Sequence, residues 1–110
     1  NIRLHKGFAT ALLTNRRGMG WKTKFDEVSD RIDSIGMDIC GPDGLYSVSI
    51  AGHCVGGALA TIFSFYAAVD NRFTRPGSPL RVHTFGAPRV GDGSFRSAYQ
   101  HLERTGRLRH

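Results

Sequence analysis

Apolar positions along the chain change their period, and each change marks an element. From Thr23 they recur at steps of three and four, as Phe25, Val28, Ile32, Ile35 and Ile39, with Asp26 and Glu27 in the first turn. That spacing predicts one amphipathic helix lying over a sheet face. Thr23 and Asp26 stand at capping-box distance, Gly36 weakens the last turns, and Gly41-Pro42-Asp43-Gly44 ends the segment. From Leu45 to Ala51 the period drops to two, with Tyr46, Val48 and Ile50 alternating against small residues, so a strand is expected. Residues 55–69, VGGALATIFSFYAAV, carry no charge and predict a helix buried on most sides.

Further along, Asp70-Asn71-Arg72 and Arg75-Pro76-Gly77-Ser78-Pro79 predict a surface loop, and Leu80 to Phe85 a second strand that stops at Gly86-Ala87-Pro88. A last helix begins near Asp92 or Ser94, either of which can cap it. It carries Phe95, Ala98, Tyr99 and Leu102 on one face and stops at Gly106, after which Arg107 to His110 reads as the start of another strand. The apolar patch Ala9 to Leu13 decides nothing by itself, and Arg16 to Gly20 reads as a turn. Strand, helix and strand within about forty residues make a right-handed crossover with parallel strands, so the class is α/β. Ligands in such sheets bind at the carboxyl ends of the strands, where Cys54 and Gly86 to Arg89 are expected to meet.

The chemistry concentrates at the first of these strand ends. Gly52-x-Cys54-x-Gly56 has the form of a nucleophile elbow with Cys where Ser is usual; the turn is so tight that the residues two before and two after must be small. A bare pattern of this kind also occurs in phosphate-binding or close-packed turns, but strand, turn and helix follow here in the required order. Cys54 is then the nucleophile at the tip of the turn. The Val55 backbone N–H faces the developing oxyanion at the helix N-terminus, and Gly52, His53, Gly56 and Gly57 support the elbow.

Composition bounds the reading. At 110 residues and 40% hydrophobic content the chain is one small domain or part of a larger one. No stretch reaches the roughly 20 apolar residues of a membrane span. No signal peptide is visible at Asn1, and a chain without an initiator Met reads as a fragment whose targeting the sequence leaves open. The net charge of +6 gathers at Arg16-Arg17 and at Arg104, Arg107 and Arg109. It reads as a solvated basic face and not as a nucleic-acid site, because no aromatic residues interleave with it. The two cysteines are not expected to pair, since the strand between them holds Cys40 and Cys54 roughly 20 Å apart. No metal-ligand spacing is present, and Cys40 reads as a plain buried or loop thiol.

Three blocks now combine: His5-Lys6-Gly7-Phe8; the strand Tyr46 to Ile50 with Gly52-His53-Cys54-Val55-Gly56-Gly57-Ala58-Leu59-Ala60; and Val82-His83-Thr84-Phe85-Gly86-Ala87-Pro88-Arg89-Val90-Gly91 with Phe95 beyond. Together they resemble the class 3 (fungal-type) lipases of the α/β-hydrolase fold over almost the whole chain. The resemblance implies a mainly parallel sheet flanked by helices and hydrolysis of carboxylic esters, chiefly acylglycerols, by a Ser-Asp-His triad without a cofactor. It also implies a lipid or ester substrate, transient contact with the lipid–water interface and no nucleic-acid partner. The chain departs from the family at Cys54. By the same resemblance, residues 1–110 are the central part of a single domain, with the first oxyanion donor and lid before His5 and the catalytic Asp and His beyond His110.

No residue within the chain is expected to replace those partners. Asp70 lies at the far end of the buried helix, roughly 20 Å from the sulfur. His53 adjoins Cys54 but points away from it and reads as a structural hydrogen-bonder, while His83, His101 and His110 are poorly placed as bases. The isolated 110 residues are therefore expected to be inactive or nearly so. A thioester intermediate favours activated esters, because thiolate is also the better leaving group. Two other readings stand beside the hydrolase. The Cys-containing elbow is similar to the lipase box of polyhydroxyalkanoate synthases, which are cysteine acyltransferases, and a non-catalytic relative would use the same fold for binding.

Overall fold

The computed structural model describes residues 3–14, 23–41, 46–70, 72–74 and 78–110. In chain order these form α1 (Lys6–Leu13), α2 (Lys24–Cys40), β1 (Ser49–His53), α3 (Val55–Ala68), β2 (Leu80–Phe85), α4 (Gly93–Arg104) and β3 (Leu108–Arg109). The strands make one sheet in the order β1-β2-β3. Both pairings are parallel, with Gly52 opposite Thr84 and Leu80 opposite Leu108. α3 is the crossover between β1 and β2. Strand alternation then decides where the helices lie: Leu80, Val82 and Leu108 point into the core with Ile62 of α3, while Ser49, Ala51, Arg81 and His83 on the opposite face are exposed. Each of these fully buried aliphatic side chains is worth about 1.5–3 kcal/mol, so the β2–α3–β3 seam is the centre of the core.

α3 is buried along most of its length, as its uncharged sequence predicts, with Gly57, Ala58, Ala60, Ile62, Phe63, Ser64, Ala67 and Ala68 all inside. Its two aliphatic hydroxyls are satisfied by their own helix: Thr61 donates to Gly57 C=O at 2.9 Å and Ser64 to Ala60 C=O at 2.6 Å. α4 starts at the expected cap, where the Asp92 carboxylate accepts from Phe95 N–H at 2.9 Å. β3 forms where Arg107 to His110 predicts a strand.

Other expectations need correction. The apolar patch Ala9 to Leu13 belongs to a helix, α1, capped by His5, whose Nδ1 accepts from Gly7 N–H at 3.2 Å. The apolar stripe of α2 is only half used. Phe25, Val28 and Ile32 pack on the core, whereas Ile35 and Ile39 are 50% and 77% exposed. α2 lies against α1 and, through Phe25, against the α3 rings of Phe63 and Tyr66 instead of over the sheet. Gly36 does not weaken the helix by chance. A Cβ there would lie 2.5 Å from the Tyr46 ring, which crosses the helix at that point and donates its hydroxyl to Asp33 at 2.6 Å. Tyr46 is thereby drawn away from β1, which begins at Ser49 and not at Leu45. Cys40 is neither buried nor in a loop; it is the exposed last residue of α2. Phe73 interrupts the loop expected at the surface and is buried. Arg16 to Gly20, Pro42 to Leu45 and the middle of the 71–79 loop lie outside the described residues.

Candidate active site

The site grows from a backbone conformation. Cys54 has φ 53 and ψ −119, the sole non-glycine residue with positive φ among those described. A non-glycine residue is held in such a region only where its surroundings over-determine it. Here the Cys54 N–H donates to Phe85 C=O at 2.8 Å and the Cys54 C=O accepts from Ala58 N–H at 3.1 Å, so the residue is fixed from β2 on one side and from α3 on the other. Cys54 occupies the N-cap of α3, yet its side chain makes no cap bond. The sulfur is free and exposed, as is that of Cys40. Val55 is the first residue of α3, so its N–H lies outside the helical ladder.

The glycines of the elbow are not equivalent. A Cβ on Gly52 would overlap the Gly56 carbonyl and come within 2.7 Å of Gly57 N, so β1 and α3 cross backbone to backbone at that point. A Cβ on Gly57 would meet Ala87 Cβ at 2.8 Å and Gly52 O at 3.2 Å. Around Gly56 there is nothing within 4 Å among the described residues, so the steric demand falls on Gly52 and Gly57. His53 ends β1 on the exposed face, and its imidazole has no hydrogen-bond partner among the described residues.

Two further stretches, far apart in sequence, build outward from this turn. Ala87 packs on Gly57, tying the loop after β2 to the start of α3. That loop turns at Gly86 with φ +62. The first stretch docks on it in turn: His5 N–H donates to Val90 C=O at 2.6 Å, Asp92 N–H donates to Arg3 C=O at 2.9 Å, and Leu4 bridges Gly91. A groove of about 690 Å3 runs between this loop and α4, lined by Pro88, Val90, Phe95, Tyr99 and His110 among others; Cys54 is not in its lining.

Among the sequence-level candidates for a base, none reaches the sulfur through a hydrogen bond. Asp70 is bound to Arg72, whose guanidinium holds its carboxyl below the ordinary 3.8. His83 and His101 are exposed on β2 and α4. His110 has a different role. It bridges Thr84 and Tyr99, three residues whose association no motif announced. Among the described residues no group of three or more His, Cys, Asp or Glu side chains could hold a metal ion, and no helix is long and apolar enough to cross a membrane.

Comparison with known proteins adds an independent line. The chain is 41% identical over 63 residues to phospholipase A1-IIgamma of Arabidopsis thaliana, a match covering 52% of this chain and 15% of that protein. It is 36% identical over 80 residues to chloroplastic phospholipase A1-Igamma2 of the same plant, covering 69% of this chain and 14% of the relative. The chain thus spans only about a seventh of these relatives. The crystal structure of a lipase from Rhizopus microsporus var. chinensis superposes with a TM-score of 0.58 at 25% identity, over 96% of this chain and 31% of that one. The three parallel strands and their helices are accordingly part of an α/β-hydrolase fold. A model of the class 3 lipases matches residues 1–110, and the chain belongs to that family.

Proposed function

We propose that this chain is the central part of a hydrolase domain that cleaves carboxylic esters of lipids through an acyl-enzyme on Cys54. The observation that carries the proposal is the strained, exposed Cys54 at a strand-to-helix elbow, with the N-terminus of α3 behind it. In the reaction the Cys54 sulfur attacks the ester carbonyl carbon, and its proton passes to a histidine supplied from beyond residue 110. The carbonyl oxygen becomes an oxyanion facing the Val55 N–H. Collapse of the intermediate expels the alcohol, which takes the proton back, and leaves a thioester. Water then attacks the thioester, releasing the carboxylic acid and restoring the thiol. Gly52 and Gly57 permit the turn and carry no chemistry of their own.

The small share of the relatives that the chain spans supports placing the remaining catalytic groups outside it. Relatives named phospholipase A1 and lipase support hydrolysis of lipid esters over acyl transfer to an added alcohol or a purely binding role. Val55 and Phe85, 52% and 62% exposed beside the elbow, support transient contact with a lipid surface.

The test is intact-mass spectrometry of the intact protein after brief incubation with a p-nitrophenyl ester, beside a Cys54→Ser variant assayed for steady turnover. One acyl group trapped on the cysteine protein, with turnover by Cys54→Ser, is the expected result. If neither protein acylates, the proposal fails.

A further inference from the structure

β3 pairs with β2 through Leu80 with Leu108 and Arg81 with Arg109, and β2 runs on beside β1 to Phe85 at the level of the elbow. His110 follows directly after β3 and reaches β2 with its side chain. Its Nε2 lies 2.7 Å from Thr84 Oγ1, and its Nδ1 lies 2.8 Å from the hydroxyl of Tyr99 on α4. The Tyr99 ring meets the imidazole edge-on at 5.6 Å. Hydroxyls both donate and accept, so a neutral imidazole is satisfied at both nitrogens in either tautomer. Burial and the nearby Glu103 push the Tyr99 hydroxyl above its ordinary range, so it stays protonated.

The bridge connects to the elbow in two steps. Thr84 stands opposite Gly52 in the β1–β2 register, and the next residue, Phe85, offers the carbonyl that takes the Cys54 N–H. From the Tyr99–His110–Thr84 geometry we infer that His110 is a positioning residue for the nucleophile. It fixes Thr84 near the end of β2 and so holds the neighbouring Phe85 carbonyl that takes the Cys54 N–H. This rests on the reading of Cys54 as nucleophile for its catalytic consequence, though not for its effect on the thiol.

The experiment compares the intact protein with Thr84→Val, His110→Ala and Tyr99→Phe. Alkylation of Cys54 by iodoacetamide is followed by peptide mass spectrometry against Cys40, whose exposed thiol at the end of α2 serves as an internal reference. Acylation by a p-nitrophenyl ester is followed in parallel. For Thr84→Val and His110→Ala we expect the Cys54-to-Cys40 alkylation ratio to fall about threefold and the acylation rate about tenfold, with the apparent KM nearly unchanged, since small misplacements of a reacting group act on rate more than on binding. Tyr99→Phe, which releases only Nδ1, should do less. Thr84→Val keeps the side-chain shape and guards against a general loss of folding in His110→Ala. An unchanged alkylation ratio in folded Thr84→Val overturns the inference. If wild-type protein fails to acylate, the hydrolase reading falls, and the alkylation ratio still decides the role of His110.

Discussion

Gly52 and Gly56 flank the same cysteine but stand in opposite steric situations. At Gly52 an added methyl would collide with the backbone of Gly56 and Gly57, and backbone cannot rotate away as a side chain can. Gly52→Ala should therefore cost about 3 kcal/mol, the upper part of the usual overpacking range. At Gly56, in the first turn of α3 with open space around it, Ala removes chain entropy from the unfolded state at no steric cost. Gly56→Ala should leave stability unchanged or raise it by about 0.5–1 kcal/mol. Urea unfolding of both variants checks the pair, and equal losses would show that the elbow is not built as described. The same local logic explains Cys54: its φ is tolerated because two hydrogen bonds from different elements hold it.

At the scale of elements, α2 shows how a helix can be well started yet incompletely used. Thr23 Oγ1 accepts from Asp26 N–H at 3.0 Å, while the Asp26 carboxylate accepts from Thr23 N–H at 3.2 Å, closing both halves of a capping box. Thr23→Ala should lower stability by about 1 kcal/mol and Thr23→Ser by much less, with an unchanged denaturant slope. The start is thus determined locally. The far end is not, since Ile35, Met37 and Ile39 keep an apolar stripe that no described element covers. α3 is the converse case, a helix with no charge that is buried along most of its length, which is why it can serve as the fixed base of the elbow.

Across the whole molecule, rings link the helices in sequence. Phe25 of α2 meets Phe63 of α3, Phe65 meets Phe95 of α4, and Phe95 leads through Tyr99 to His110. A polar tie joins α2 to the turn after α3, where Arg72 pairs with Asp70 at 2.8 Å and Asp30 at 3.1 Å, its guanidinium 5.2 Å above the Phe73 ring. The hydrogen bond from Arg72 holds the Asp70 carboxyl below its ordinary 3.8. A lowered folded value means that the stabilisation is complete above pH 3.8 and disappears as pH falls through the folded value. Arg72→Met should therefore be less stable than wild type at neutral pH, by under about 1 kcal/mol because the pair is partly exposed. The gap should close below about pH 4, as read by thermal unfolding across pH. A gap that stays constant into acid would assign the loss to packing on Phe73 instead.

Much of this protein could be read from spacing alone. The period of two in β2, the period near 3.6 in α2 and α4, the charge-free run of α3 and the Gly52-x-Cys54-x-Gly56 turn are local signals. Their meaning depends on residues within one or two turns of each other, so they survive the loss of all other information. Three blocks of residues together also pointed to the family. What only the tertiary structure decided is which distant residues touch. Ala87 against Gly57, Arg3 to His5 against Val90 to Asp92, Tyr46 across Gly36, and His110 between Thr84 and Tyr99 each join segments at least ten residues apart. No period encodes such meetings, because a histidine after a strand or a threonine within one looks the same in sequence whether it faces water or bridges two elements. Local sterics and hydrophobic spacing determined the elements and the elbow; packing between elements determined what keeps that elbow in place.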